Sequence, residues 1–503
     1  MLATVHSATL QGVDGHAVTV EVHVSAGLPS FTVVGLPDTS CRESRDRVRA
    51  AILSSGLAWP QKRITVNLAP SGLRKAGSGL DLAIAVAVLV ASESLNAESV
   101  RAMAFLGELG LDGAVRPVPG AVPMVDALPG EIAVVPVASA VEAWLVGRHR
   151  VRPIAHLTEL IDAVREDMPW PDHPLPRSLV EPSSTPDLAD VRGQPFARRA
   201  LEVAAAGGHH LLLVGPPGAG KTMLAKRLPG LLPDLEHREA MQATRVHSAV
   251  GVALPPGGLV LRPPFRAPHH SASLVSLVGG GSDALRPGEV SMASGGVLFL
   301  DELGEFQPAV LDALRQPLEE GVVRVSRARF SVSFPARFLL VAAMNPCPCG
   351  QGGRPGSCHC SDNGRLRYRR RLSGPLLDRF DLRVDVARPD VTDLLGGQPG
   401  ESTGIVAQRV RMARSRAAAR GGCCNADLEA DLLERCTPLT AGATKILDAA
   451  LRSGKLTARG LARVRRVALT LADLESIEPP LEADLVGLAL QLRSEPLTDP
   501  VAA

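Results

Sequence analysis

Residues 215–222 read GPPGAGKT, a glycine-rich loop closed by a lysine and a hydroxyl residue. Gly215, Gly218 and Gly220 carry no side chain, so successive backbone N–H groups can turn inward and cradle phosphate oxygens. With Pro216, Pro217 and Ala219 they make a loop that binds the phosphates of a nucleotide such as ATP. Lys221 supplies a point charge for the β- and γ-phosphates, and the Thr222 hydroxyl can ligate Mg2+. A second pair of chemical groups stands at Asp301-Glu302, directly after the apolar run 297–300. Asp301 would hold Mg2+, directly or through water, and Glu302 would polarise the attacking water. Asn345 follows a third apolar run, 337–344, and is placed to sense the γ-phosphate and that water.

These residues need a strand, a loop and a helix in that order. The apolar run 211–214 precedes the glycine loop and a helix-prone run, 223–228, follows it. The helix then points the positive end of its dipole at the bound anion. The 297–300 run reads as a buried strand with both acids at its C-terminal tip, the edge where nucleotide sites of parallel sheets lie. A helix is expected over 197–206 and another over 307–320, followed by a β-hairpin over 321–335 with Arg327 and Arg329 near its tip. The stretch between Thr222 and Asp301 exceeds a minimal crossover, and its glycines and prolines mark an inserted loop. His269 and His270 sit in it. Adjacent residues do not share one face, so a polar loop role is favoured over a metal site.

Two C-x-C pairs, Cys347/Cys349 and Cys358/Cys360, offer four thiolates, the count for a closed structural Zn2+ site, with His359 as a substitute ligand. Free thiols are the alternative. Residues 365–371 read RLRYRRR. Arg367, Arg369 and Arg370 could meet a phosphate backbone, with Tyr368 stacking on bases; a solvated loop or an intersubunit contact is the other reading.

The chain has 503 residues, 45% of them hydrophobic, but only 3% aromatic, so its cores rest on Leu, Val and Ala. The formal net charge is +2, so nucleic-acid binding must come from local clusters. The N-terminus has no basic and apolar leader pattern, and the apolar run 82–91 is too short to cross a bilayer. A cytoplasmic protein without membrane contact is expected.

Residues 1–165 read as a mixed α/β unit: strands over 18–24, 30–34, 64–68 and 105–109, and helices over 42–55 and 80–90. Residues 166–189, rich in Pro and Ser, read as a linker. From about 404 onward the pattern is helical, with Arg409, Arg411, Arg414, Arg416 and Arg420 along one helix as a solvated or DNA-facing side.

The segments RKAGSG at 74–79 and GELGLDGAVRPVPG at 107–120 resemble the Lon-protease C-terminal domain and its S5-like fold. Aligned by Lys75 and Gly77, the nucleophile position falls on Gly79, with Ser78 one place off, and the AVPMV directly after Gly120, where the base lysine is expected, contains none. A protease fold without protease chemistry is expected. The segments FRAPHHSASLVSLVGGGSDALRPGEVSMASGGVLFLDEL, AAMNPCPCG and RLSGPLLDRFDL resemble the magnesium-chelatase-like AAA+ ATPases, and the chain as a whole is similar to the ComM family.

That resemblance implies an α/β fold. It consists of a AAA+ P-loop core with inserted β-hairpins (190–390), the S5/Lon-like domain (1–165) and a C-terminal helical lid (391–503). It further implies a hexameric ring that hydrolyses ATP between subunits, and branch migration of single-stranded and branched DNA during natural transformation. A chelatase-type ATPase that remodels a protein partner is the alternative. By resemblance Arg379 is the arginine finger and Arg459 the second sensor. An intrachain salt bridge of Arg379 with Asp378 or Asp381 is the competing role.

Overall fold

The computed structural model describes residues 1–173, 186–281, 285–327, 330–352, 357–396 and 399–493. Along Asp14–Ser25 alternate residues from Val18 to Val24 are buried, the period of a strand with one face on a core. It pairs antiparallel with Leu2–Gln11 and Arg63–Ala69. These anchor a seven-stranded sheet in the order Ser30–Val34, Arg63–Ala69, Asp14–Ser25, Leu2–Gln11, Met103–Phe105, Ile132–Pro136, Arg150–Ile154. Helix Asp81–Ala91 lies against it with every residue buried; ten of its eleven residues are apolar, and the eleventh, Asp81, is paired with Arg47 at 2.6 Å. The single strand expected over 105–109 is two. Gly107, at φ 153°, gives its N–H to Gly79 and bends the chain. Glu108–Leu109 then pairs with Val115–Arg116 in a separate ribbon.

The second sheet has five parallel strands in the order Phe265–Arg266, Val297–Leu300, Leu339–Met344, Leu211–Val214, Leu382–Asp385. Its three central strands are buried along their whole length and almost wholly apolar, as parallel strands covered on both faces must be. The helix expected over 307–320 is broken into Pro308–Asp312 and Arg315–Glu320. Pro317 has no N–H to give Ala313, so the chain restarts. The hairpin pairs Val322–Arg327 with Phe330–Pro335, with Arg327 opposite Phe330 at the last pair. Arg329 lies outside the described residues.

Among the described residues from 403 onward five α-helices follow: Thr403–Gly421, Ala430–Cys436, Ala441–Arg452, Ala458–Glu475 and Ala483–Gln491. Most of the arginine row on the first is not a solvated or DNA-facing side. Arg409 reaches Glu202 at 2.6 Å and Glu401 at 2.7 Å, Arg414 the carbonyl of Ala205 at 2.8 Å, and Arg420 the carboxylate of Asp473. Val406, Val410, Ala413 and Ala417 are the helix's buried stripe, so arginines beside that stripe reach the polar groups of its neighbours. Arg411 is exposed.

The two sheets are joined through helices Ala121–Ala127 and His237–Val250. The N–H of Gly120 donates to the Ser248 carbonyl at 2.8 Å, and the Ser248 hydroxyl donates to Glu142 at 2.5 Å. Arg245 pairs with Asp126. Among the described residues no helix is long and apolar enough to cross a membrane.

Candidate active site

The glycine loop leaves Leu211–Val214 and enters helix Lys221–Ala225. Gly215 must be glycine: a Cβ there would lie 2.2 Å from the Val386 carbonyl oxygen. Gly218 and Gly220 have φ of 76° and 83°, the left-handed backbone that turns N–H groups toward a common centre. Lys221 folds back into the loop. Its Nζ donates to the carbonyls of Gly215 at 2.7 Å and Pro216 at 3.0 Å, and to Asn345 Oδ1 at 3.1 Å. All three acceptors are neutral, so the charge stays available to an anion. Burial lowers the lysine's pKa, against the pull of Asp301 and Glu302.

Thr222 Oγ1 donates to Asp301 Oδ2 at 2.6 Å. A hydroxyl and a carboxylate thus meet at one point, a hard oxygen pair suited to Mg2+. Asp301 Oδ1 also accepts the N–H of Glu302 at 2.9 Å. Glu302 itself has φ 53°, a strained conformation for a side chain of this size. Its carboxylate is met by His270 Nδ1 at 3.0 Å. The His269–His270 rings lie 4.1 Å apart. The strand order explains how these groups converge. Leu339–Met344 lies between the strand of the glycine loop and the strand of the acids, so Asn345 emerges between Lys221 and Asp301.

Arg379 and Arg459 are elsewhere. Arg379 follows helix Gly374–Leu377 and pairs with Glu319, not with Asp378 or Asp381. It lines a cavity of about 610 Å³ with Glu319, Asp381, Arg463 and the strand starts at His210, Gly296 and Leu339. This is the N-terminal edge of the sheet, a strand length of about 13 Å from the edge that bears the glycine loop. Burial lowers the Arg379 pKa, and the charges of Arg463, Arg459 and Arg315 add to the effect. Arg459 is exposed at the start of Ala458–Glu475, near enough for its charge to act on Arg379. Asp381 anchors the corner. Burial opposes its charge, but the hydrogen bond from His209 and the Arg463 guanidinium hold its carboxyl well below the usual range.

Residues 365–371 are not a loop. Helix Asp362–Arg370 carries 365–370, with Arg367 and Arg370 exposed and Arg371 in the turn that follows; the Arg369 side chain lies outside the described set. Tyr368 is not free to stack on a base. It is buried against Gly304, where a Cβ would lie 2.6 Å from its ring. The four sulfurs of Cys347, Cys349, Cys358 and Cys360 lie within 4.8 Å of one another, a set that could hold a metal ion. Backbone N–H groups of Gln351 and His359 draw the Cys349 thiol down to about 6, against the effect of burial. In the N-terminal unit the Ser78 hydroxyl donates to Glu108, while Lys75 is fully buried and donates to the Pro70 carbonyl.

Two contacts at the glycine loop were not read from the sequence. Gln194 spans the Ala219 carbonyl at 2.6 Å and the Ala387 carbonyl at 2.9 Å, fastening the loop to the chain after the last strand. Its signal was the Pro195 helix start behind it, but its own left-handed φ of 55° has no mark in the residue type. His270 was seen as a polar loop residue, and its partner Glu302 lies too far along the chain for spacing to show.

A five-stranded parallel sheet in this order, with a phosphate loop after its first strand in sequence and an acid pair after its third, defines a AAA+ ATPase. Residues 187–394 match the family model described as magnesium chelatase, subunit ChlI; residues 20–136 match that of subunit ChlI of Mg-chelatase, and 400–493 its C-terminal part. The chain is 46% identical to an uncharacterised protein of Mycobacterium tuberculosis over 98% of both chains. It is 44% identical to YifB of Escherichia coli over 94% of both, and 43% identical to competence protein ComM of Haemophilus influenzae over 98% of both. The chain belongs to this ComM and magnesium-chelatase-like family of ATPases.

Proposed function

We propose that the chain is an ATP-driven DNA motor whose hydrolysis sites form between neighbouring copies in a ring, six by family resemblance. The observation that carries this reading is the division of the chemistry between two edges of one sheet. Lys221, Thr222, Asp301, Glu302 and Asn345 gather at the C-terminal edge. Arg379 and Arg459 stand at the N-terminal edge, beyond reach of their own loop.

In this reading residues 215–220 and Lys221 bind the triphosphate of ATP, and Thr222 and Asp301 hold Mg2+, which screens the phosphate charge when bound. Glu302 takes a proton from water aimed at the γ-phosphate, and His270 sets the direction of its carboxylate. Asn345 senses the γ-phosphate. A neighbouring copy presents Arg379, with Arg459 beside it, to the same phosphates. Glu319 holds Arg379 until that docking occurs.

DNA is the partner favoured by the arginine-bearing hairpin at Arg327 and Arg329, by exposed Arg367 and Arg370, and by the competence protein among the relatives. Single-stranded and branched DNA in recombination is the substrate class. The four cysteines take Zn2+, and the Lon-like unit, with Ser78 and Lys75 committed to separate partners, has no protease activity. The test is ATP turnover with and without DNA, and branch migration on three- and four-way junctions. Stimulation by DNA and ATP-dependent migration support the motor. Turnover indifferent to DNA, but raised by a protein partner, would favour the chelatase-type alternative.

A further inference from the structure

The four-cysteine loop touches both walls of the nucleotide site. Cys347 follows Asn345 by two residues and is fully buried. Its sulfur lies 3.4 Å from that of Cys349 and 3.8 Å from that of Cys358, and Cys349 and Cys358 are 3.5 Å apart. Four thiolates at about 2.3 Å from one tetrahedral Zn2+ stand about 3.8 Å from each other. Three sulfurs therefore already stand at the spacing of such a site, with that of Cys360 within 4.8 Å of them, and a disulfide, at about 2.05 Å, is much shorter.

On one side, the turn after Cys349 presses on the phosphate loop. Gly350 gives its N–H to the Cys347 carbonyl at 2.9 Å and has φ 81°. A Cβ on it would lie 2.3 Å from Pro217 Cδ. On the other side, Cys360 leads into helix Asp362–Arg370, which packs on the turn behind the acids. Tyr368 lies against Gly304, and Arg371 Nη1 donates to the Gly304 carbonyl at 2.9 Å and to Glu305 at 3.0 Å. A metal ion held by these four sulfurs joins the segment that backs Pro217 to the segment that backs Asp301 and Glu302.

We propose that this metal centre is a clamp on the ATP site: a bound ion fixes the phosphate loop and the acid turn in one relative position, so metal and nucleotide stabilise each other's binding. The proposal rests on the ATP-site and Zn2+ readings above. Because binding linkage is reciprocal, the factor by which metal tightens ATP must equal the factor by which ATP tightens metal.

The experiment uses the full chain in Mg2+. Metal content is measured by elemental analysis. The affinity of a non-hydrolysable ATP analogue is measured for three samples: the metal-replete protein, the protein stripped by a soft-metal chelator that spares Mg2+, and Gly350→Ala. Zn2+ affinity is measured by competition with a chromophoric chelator, with and without the analogue. The expected result is one Zn2+ per chain, analogue binding weakened about tenfold on stripping, and Zn2+ affinity raised by the same factor when the analogue is bound. Gly350→Ala should keep its metal yet bind the analogue more weakly, because the new methyl displaces Pro217. It also guards against a stripped protein that merely unfolds. One Zn2+ per chain with unchanged analogue affinity in both altered samples would overturn the clamp and leave the metal assignment standing. No stoichiometric metal would overturn the assignment and the clamp together, and leave the ATP site untouched.

Discussion

The two edges of the parallel sheet are built on opposite plans. At the C-terminal edge the backbone does most of the work. Positive φ at Gly218 and Gly220 opens the loop, Lys221 meets three neutral oxygens, and Thr222 and Asp301 converge at 2.6 Å. At the N-terminal edge side chains dominate: Arg379 is held by Glu319 and Arg463 by Asp381, and the charge of Arg459 acts on Arg379. The first edge is a receptor shaped by backbone, with the Arg388 guanidinium on the Pro217 carbonyl at 3.3 Å. The second is a set of cations held near carboxylates, with no phosphate site of its own chain in reach. Under the proposed function the difference means that one chain carries two half-sites, which stacking copies head to tail would join.

The sharpest way to break this comparison is at Arg379. Arg379→Ala should lower kcat by about 10³–10⁵-fold, since a finger acts on the transition state, while ATP affinity holds. Hydrolysis at the normal rate would leave the second edge without a role. Glu302→Gln should cost about 10²–10⁴-fold in kcat and trap bound ATP, read by filter binding. Lys221→Ala, by contrast, should be seen first in ATP binding, because its charge serves the ground state as well. His270→Ala should lower kcat about tenfold with KM for ATP unchanged, as expected of a residue that aims Glu302. A rise in KM alone would place His270 in nucleotide binding. The smallest effect is expected in the N-terminal unit. Ser78→Ala should leave ATP turnover as it was, and the intact chain should release no peptides from casein.

The C-terminal edge was legible in the sequence because its chemistry is local. Eight consecutive residues state the phosphate loop, and an apolar tetrad followed by two acids states the metal and base positions. The N-terminal edge was less so. Family resemblance points to Arg379, and the sequence near it offers Asp378 and Asp381 as partners. The pair forms with Glu319, sixty positions earlier, at the end of the short helix Arg315–Glu320 that restarts after the break at 313–314. Arg459 was assigned to the γ-phosphate, but nothing in its spacing told which copy's phosphate. The arginines of Thr403–Gly421 misled for a related reason. A charged row reads as solvated until the acids and carbonyls that face it, such as Glu202 and Ala205, come from distant helices. Tyr368 misled because burial beside Gly304 is a property of two segments, not of a basic run.

The most direct measurement mixes two inactive variants. Lys221→Ala keeps the arginine edge and loses the loop; Arg379→Ala keeps the loop and loses the arginine. In an equal, fully exchanged mixture, roughly one interface in four pairs an intact loop with an intact arginine from the next copy. ATP turnover should return to about that fraction of the wild-type rate. A mixture that assembles yet stays as inactive as its parts would contradict a site shared between copies.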